Sequence, residues 1–453
     1  MTESTPSGYN PQRLHALRER EDALFHARIP RSLALAARAR QHMPNGVPMA
    51  WMAGLYRHPP LFVVEGSGAS FTDVDGNTYL DMNQADLSMN CGYGPPSVVQ
   101  AGAQRLLQGS QFLLPTEDAV VVSDLLAERF DLPFWQYTLS ASSANVEALR
   151  LARVATGRDM LVVFQGGYHG HLDDTLVDRE RAHIVPALLG ISVQVAQRAR
   201  VIPFNQPAAL DEALAPGDVA AVITEPALTN IGVVQPAPGF HAHLRAATRQ
   251  AGTLLILDET HTQMAAWGGL TRALGLEPDI VTLGKSLGGG VAIGAYGMSE
   301  PLAHLMEHHL DIDVGPQGLA TGGTLYANAL SLATARAALQ DVLTREGYER
   351  VTALGTQLAD GIERVSAAHG LTWRAHRLGG RSGFCLRPTL PLNAEDATLS
   401  LDTAFIDTRR VFMANRGIWD AIATAGPAAS FTHTHADIDR YLAVLDAFLE
   451  EIT

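Results

Sequence analysis

GTLLILDETHTQMAAWGGLTRALGLEPDIVTLGKSLGGGVAIGA, residues 252–295, contains two short apolar runs that each end on a polar side chain. LLIL leads into Asp258, and IVTLG leads into Lys285. Short runs that are apolar throughout suit strands buried on both faces. DMLVVFQ (159–165) and VAAVITEP (219–226) have the same form, and helix-like segments such as 97–108 and 117–130 alternate with these strands. Alternation of this kind predicts an α/β fold, with a mostly parallel central sheet and helices on both faces. In open sheets of that type, ligands bind beyond the carboxyl ends of the strands, which singles out Glu225, Asp258 and Lys285.

Lys285 is the only lysine in 453 residues; the other 32 of the 33 basic residues are arginines. A composition rich in Ala, Gly, Leu and Arg accounts for the arginines. It does not account for one lysine kept in apolar, glycine-rich surroundings. A guanidinium stays protonated at physiological pH, whereas a desolvated ammonium loses its proton and becomes a nucleophile. The position therefore points to amine chemistry, above all a Schiff base with a carbonyl.

The whole-chain properties narrow the partners. A net charge of −14 argues against nucleic acid and against an anionic membrane surface. The two cysteines, Cys91 and Cys385, lie far apart without metal-ligand spacing, which suits a reducing compartment. The first 32 residues carry charges throughout and lack the apolar core of a secretory signal. No apolar run approaches the roughly 20 residues of a membrane span. The expectation is a cytoplasmic protein acting on small molecules.

Outward from the centre, the first eight residues carry no structural signal, and 11–43 read as helical. PPLFVVEGSGASFTDVDGNTYLDM (59–82) alternates short β-type runs with Gly, Asp and Asn turns and predicts hairpins. The segment 171–200 has few cues and reads as a mobile loop over a site. A long helix is expected to about 369, strands in GLTWRAHRLGGRSGFCLRP (370–388), and a last helix over 435–451. The implied domains are an N-terminal extension and helix (1–30), the first part of a small domain (31–85), a large α/β domain (86–335) and a C-terminal α+β part of the small domain (336–453).

Several chemistries compete for these residues. GKS at 284–286 is not a phosphate loop, because Asp279 stands where that motif needs its first glycine. The pairs His169/His171, His241/His243 and His433/His435, and Asp258 with His261, are weak metal signals without helical H-E-x-x-H spacing. There is no G-x-S-x-G elbow and no dinucleotide fingerprint. A pyridoxal phosphate site explains more. It needs a lysine for the aldehyde, an acid for the pyridine nitrogen and anchors for a phosphate. Asp258 can supply the acid. Ser140, Ser142 and Ser143 stand just before a helix, whose first N–H groups favour an anion. Tyr168 and His169 follow a strand, where a ring can face the cofactor.

Taken together, FTDVDGNTYLDM, EALRLAR, FQGGYHGHLDD, ITEPALTN, LLILDETHT, PDIVTLGKSLGGGVAIGAYG, GGTLYANAL and THTHADID resemble the class III, fold-type I, pyridoxal phosphate-dependent aminotransferases. The likeness is to the branch of glutamate-1-semialdehyde aminomutase, from about residue 30 to the C-terminus. It implies a homodimer with shared active sites. By residue, it implies a Schiff base at Lys285 and Asp258 on the pyridinium. His261 and Tyr168 would lie on either side of the ring, with Asn230 and Glu225 near its hydroxyl edge. Ala141 and Ser142 would hold the phosphate, and Thr324 would reach a neighbouring subunit's phosphate. The chain departs from that pattern in LSASSA (139–144), where Ala141 replaces a glycine. In PNGVPMAWMAG (44–54), Met52 stands where the branch has a carboxylate-binding arginine, and Asp86 replaces a tryptophan. The expected substrate pocket is apolar, formed by Met49, Trp51, Met52 and Tyr56, with Asp86 beside it. Arg57 or Arg416 is the alternative source of a carboxylate-binding charge.

These readings converge on a ping-pong aminotransferase acting on a hydrophobic or aromatic amine and a keto acid or aldehyde. An aminomutase or racemase of the same fold is the alternative, since the same lysine and acid serve either. Outside the enzymes, the alternative is a cofactor-free binding protein, which leaves the sole lysine unexplained.

Overall fold

The computed structural model describes residues 8–180, 183–309, 318–421 and 426–453, so the expectation for residues 1–7 lies outside the described residues. The chain divides into two compact units, Pro96–Glu349 with Pro391–Asp396, and Met1–Pro95 with Arg350–Leu390 and Ala397–Thr453. The divisions fall at 95/96 and 349/350, where the sequence suggested 85/86 and 335/336. The pieces 1–30 and 31–85 belong to one unit.

The larger unit is built on a seven-stranded sheet. Across the sheet the strands run Phe134–Thr138, Gly294–Met298, Ile280–Leu283, Leu254–Asp258, Val219–Thr224, Met160–Phe164 and Ala199–Ile202. Gly294–Met298 is antiparallel to both neighbours, and every other pairing is parallel. All residues of Val219–Thr224, Ile280–Leu283 and Gly294–Met298 are buried, so these strands are covered on both faces, as continuous apolar runs predict. At the edge, Phe134–Thr138 mixes exposed and buried positions. The helix Ala141–Thr156 packs across several of the central strands, and Phe240–Ala251 packs on Leu254–Asp258. Ala148, Leu151, Leu161, Ile223, Ile256 and Ile280 belong to the resulting core.

The segment 171–200 is not a plain loop. Val177–Glu180 and His183–Pro186 pair as antiparallel strands, and Val193–Ala196 is a short helix. Most of the hairpin's side chains are exposed or half-buried, so burial imprints no apolar alternation on its sequence.

The smaller unit has a sheet of Val63–Ser67, Ser70–Asp73, Thr78–Asp81 and the short strand Ile418–Trp419, the last pairing parallel to Thr78–Asp81. A separate hairpin, Arg374–Leu378 with Arg381–Cys385, lies in the segment expected to form strands. The helices Pro11–Arg28, Thr403–Asn415 and His435–Ile452 enclose a core that includes Leu14, Leu17, Phe405, Phe412, Tyr441 and Phe448. His435–Ile452 starts at a reciprocal cap, with Thr434 and Asp437 each bonding the other's backbone. The helix expected over 11–43 is instead two, Pro11–Arg28 and Pro30–Ala39. Pro30 has no N–H to continue the ladder, and Ile29 before it leaves the helical region at φ −124°.

Candidate active site

Five chain segments meet at the carboxyl edge of the central strands. Asp258 ends its strand and is buried, with Thr282 of the neighbouring strand opposite it in register. Three residues after Thr282 comes Lys285, half-buried, opening a tight turn through Gly288. Its backbone sits in the left-handed region at φ 45°, a conformation that costs a non-glycine residue about 1–2 kcal/mol. Such strain persists only where the surroundings fix the backbone of the turn. The Gln263 side chain, for example, donates to the Gly284 carbonyl at 2.8 Å.

The lysine turn lies against the start of the helix Ala141–Thr156. A Cβ on Gly284 would come within 2.8 Å of Ala141 Cβ and 3.0 Å of Ala141 N. The close approach expected of a glycine at 141 is thus permitted by the glycine on the opposite strand end. At the helix start, Ser140 is the N-cap, its Oγ accepting from Ser143 N at 3.2 Å. Helix geometry leaves the N–H groups of Ala141 and Ser142 without an intrahelical partner, available to an anion. Ser142 Oγ accepts from His171 N at 3.0 Å and keeps its own proton to donate. Gly170 lies beside it, where any side chain would collide with Ser142 Oγ at 2.2 Å. These residues fit a phosphate: one hydroxyl donor and two backbone donors at a helix N-terminus.

Asp258 fits a protonated ring nitrogen. Its Oδ2 accepts from Asn145 Nδ2 at 2.9 Å and faces His169 Nδ1 at 3.0 Å, while Oδ1 accepts from Thr260 N at 3.0 Å. Burial pushes the carboxyl up, but the bond and charge of His169, together with Thr260, outweigh it and hold the group below the usual carboxylate value. Asp258 therefore stays anionic in an apolar setting. The other nitrogen of His169, Nε2, is buried with no partner among the described residues. Tyr168, next to it, is half-buried on the same turn.

Glu225 follows the strand Val219–Thr224, which pairs directly with the Asp258 strand. It is buried and accepts a hydrogen bond from Thr229, whose hydroxyl also meets His261 Nδ1 at 2.6 Å. Asn230 is exposed beside this group. Thr324 is exposed too, its carbonyl accepting from Gln111 Nε2 at 2.5 Å.

Met49, Trp51, Met52 and Asp86 belong to the smaller unit. Met49, Trp51 and Met52 are exposed, the last two in the short helix Trp51–Gly54. Arg57 pairs with Asp407 at 3.2 Å, and Arg416 pairs with the buried Glu21 at 3.0 Å while lying 3.2 Å over the Phe412 ring. Both arginines raised as alternatives already have anions of their own. The histidine pairs are engaged separately: His241 with the Pro226 carbonyl, His243 with Asp211 and His433 with Ser430. Among the described residues, no three His, Cys, Asp or Glu side chains converge on a metal position.

Sequence reasoning missed Asn145. It is fully buried, and its Nδ2 donates both to Asp258 and to the His169 carbonyl at 2.8 Å, while its Oδ1 accepts from Thr282 Oγ1 at 2.6 Å. One amide therefore ties together the anion-binding helix, the aspartate strand, the lysine strand and the His169 turn. The signal was an amide among the small and apolar residues of ANVEALRLA, on a helix already expected to face the sheet.

The family described as aminotransferase class-III matches residues 52–379. The glutamate-1-semialdehyde 2,1-aminomutase of Gemmatimonas aurantiaca is 33% identical over 428 residues, covering 92% of this chain and 95% of that protein. Among solved structures, a lysine-to-alanine variant of a glutamate-1-semialdehyde aminomutase from Pseudomonas aeruginosa PAO1, in complex with PMP, superposes with a TM-score of 0.94. It is 35% identical, and the likeness covers 98% of this chain and 100% of that one. An omega-transaminase from Sphaerobacter thermophilus superposes with a TM-score of 0.84 at 28% identity, covering 93% of this chain and 97% of that one.

Proposed function

The chain belongs to the class-III aminotransferases, with their fold-type I architecture and pyridoxal 5′-phosphate as cofactor, and from this we propose that it moves an amino group between carbons of a single substrate, as an aminomutase. The joint placement of Asp258, Lys285 and the Ala141 helix start at one sheet edge carries the amino-transfer chemistry. The aminomutases among the relatives, similar over nearly the whole chain, favour transfer within one substrate over exchange between two.

When bound, the cofactor supplies a carbonyl or amine that carries the amino group, and a ring that accepts the electron pair left by a departing C–H proton. Lys285 Nζ is the group in this chain able both to bond a carbonyl and to take and return that proton. Asp258, held anionic, keeps a proton on the ring nitrogen. Asn145 and His169 fix the carboxylate's orientation. The Ala141 and Ser142 N–H groups and the Ser142 hydroxyl bind the phosphate and so set the ring's position relative to Lys285.

The test is direct. Holoprotein is given glutamate 1-semialdehyde with no second amine or keto acid, and 5-amino-4-oxopentanoate is measured. Multiple turnovers are expected; no product from an otherwise intact holoprotein overturns the aminomutase reading. A second reading is exchange between an apolar amine and a keto acid, favoured by the exposed Met49, Trp51 and Met52 in a segment without a basic side chain. That reading expects consumption of hydrophobic amines with pyruvate or 2-oxoglutarate, and preference for them over carboxylated analogues.

A homodimer is part of the proposal. Leu106, Leu107, Phe112, Leu113, Leu114 and Val120 of the larger unit are all exposed, an apolar group that a second copy would cover. Cytoplasmic residence is proposed from the two cysteines, both buried and neither in a disulfide. Among the described residues, no helix is long and apolar enough to cross a membrane.

A further inference from the structure

Glu225, Thr229 and His261 form a line of side chains that the reaction above does not use. The Thr229 hydroxyl donates to Glu225 Oε2 and stands 2.6 Å from His261 Nδ1. Glu225 and Thr229 are 2% and 1% exposed, and the second carboxylate oxygen, Oε1, is buried with no partner among the described residues. A hydroxyl has one proton to donate, so the state of Glu225 fixes the direction of both bonds. With Glu225 ionised, Thr229 donates to the carboxylate and His261 must carry its proton on Nδ1, leaving Nε2 an acceptor. With Glu225 protonated on Oε2, the acid donates to Thr229 and Thr229 donates to Nδ1. The imidazole proton then sits on Nε2, which becomes a donor.

We propose that Glu225, Thr229 and His261 are a proton relay whose working end is His261 Nε2, taking a proton from a hydroxyl or ammonium group of a ligand and storing it on Glu225. The transfer balances. Nε2 gains one proton, Nδ1 passes its own to Thr229 Oγ1, and Thr229 passes its own to Glu225 Oε2. The imidazole is neutral before and after, the carboxylate becomes a carboxylic acid, and the return path restores both.

Burial pushes Glu225 up to about 7, with the Thr229 bond and the charge of His169 acting against it and Asp258 adding to it. Both protonation states of Glu225 are thus accessible near neutral pH, where proton transfer is most efficient. His169 and Asp258 are the charged or titratable groups that act on Glu225 from neighbouring segments, and His241 bonds the carbonyl of the adjacent Pro226. The sheet edge that presents Asp258 also presents Glu225, through the pairing of their two strands. Only the identity of the ligand that delivers the proton rests on the amino-transfer reading.

The relay is tested by nitrogen NMR on histidine-labelled holoprotein from about pH 5 to about pH 8, the range in which histidine sites titrate. His261 is assigned by the signal lost in His261→Gln. In the wild type the protonated nitrogen is expected to change from Nε2 to Nδ1 as pH rises through about 7. Thr229→Ser should retain the exchange, and Thr229→Val should abolish it. Should the valine variant fail to fold, Glu225→Gln serves, with one tautomer expected throughout. A wild type that shows no exchange, a valine variant that behaves like wild type, or a serine variant that behaves like valine overturns the relay. The readout needs no turnover. Exchange without amino transfer overturns the proposed reaction alone, and amino transfer without exchange overturns the relay alone.

Discussion

At the scale of single residues, Lys285 and Glu225 carry the sharpest expectations. Lys285→Arg preserves charge, yet a guanidinium can neither bond a carbonyl nor hold the proton in transit. Amino transfer is expected to fall by at least about 10³-fold. Borohydride should no longer fix the cofactor to the chain, a result that mass spectrometry checks. Glu225 is expected to reveal itself through stability. Its folded value of about 7 lies above the ordinary 4.5, so the native state binds the proton more tightly than the unfolded chain. The resulting contribution is whole below about pH 4.5 and is lost as pH rises to about 7. Urea unfolding of apoprotein should therefore show wild type losing, relative to Glu225→Gln, on the order of 3 kcal/mol across that window. Parallel stability curves would contradict the buried-acid account. The places of Asp258, at the end of an apolar strand, and of Lys285, two residues past the end of another, were legible in the sequence because neither group has a packing reason to be there. Thr229 was not, because a hydroxyl gains its meaning only from the two groups it touches.

Among the elements, the helix Ala141–Thr156 organises the site, offering its first N–H groups to an anion and Asn145 to three other segments. Asn145→Ala leaves a buried carboxylate oxygen, a carbonyl and a hydroxyl each short of a partner. Denaturant unfolding of apoprotein should register a loss of about 3 kcal/mol. The affinity for pyridoxal phosphate should fall as well, since Asp258 loses a donor that favours its anion. A variant as stable as wild type, with unchanged cofactor affinity, would remove Asn145 from the site. The strands of the large sheet could be located from sequence because two-sided burial makes them continuously apolar. The exposed Val177–Glu180 and His183–Pro186 hairpin could not, and one proline at 30 broke a helix whose apolar spacing runs on across it.

Over the whole molecule, each compact unit has its own core, and family membership was legible because motifs from most of the chain agree in order. The direction of amino transfer was not. Exchange between two substrates and transfer within one use the same lysine, acid and phosphate anchors, so these residues do not separate them. The apolar group around Leu107, which is 90% exposed, leads to the expectation at this scale. Sedimentation of the holoprotein should give a dimer, and Leu107→Glu with Leu113→Glu should shift it towards monomer. Cofactor affinity should weaken in step if Thr324 serves a neighbour's phosphate. A wild-type monomer with full activity contradicts both expectations.

The scarcity of lysine has an analytical consequence. An endoprotease specific for lysine can sever this polypeptide at one peptide bond, Lys285–Ser286, yielding fragments 1–285 and 286–453. That bond lies between two hydrogen-bonded neighbours of the large sheet, with Ser286 buried and Lys285 half-buried. Cleavage of the folded apoprotein therefore waits for the turn itself to open, and loosening elsewhere in the chain exposes nothing to the enzyme. When reclosing is faster than cutting, the rate of that single scission gives the free energy of local opening. The polypeptide carries its own gauge of how firmly the reacting turn is shut.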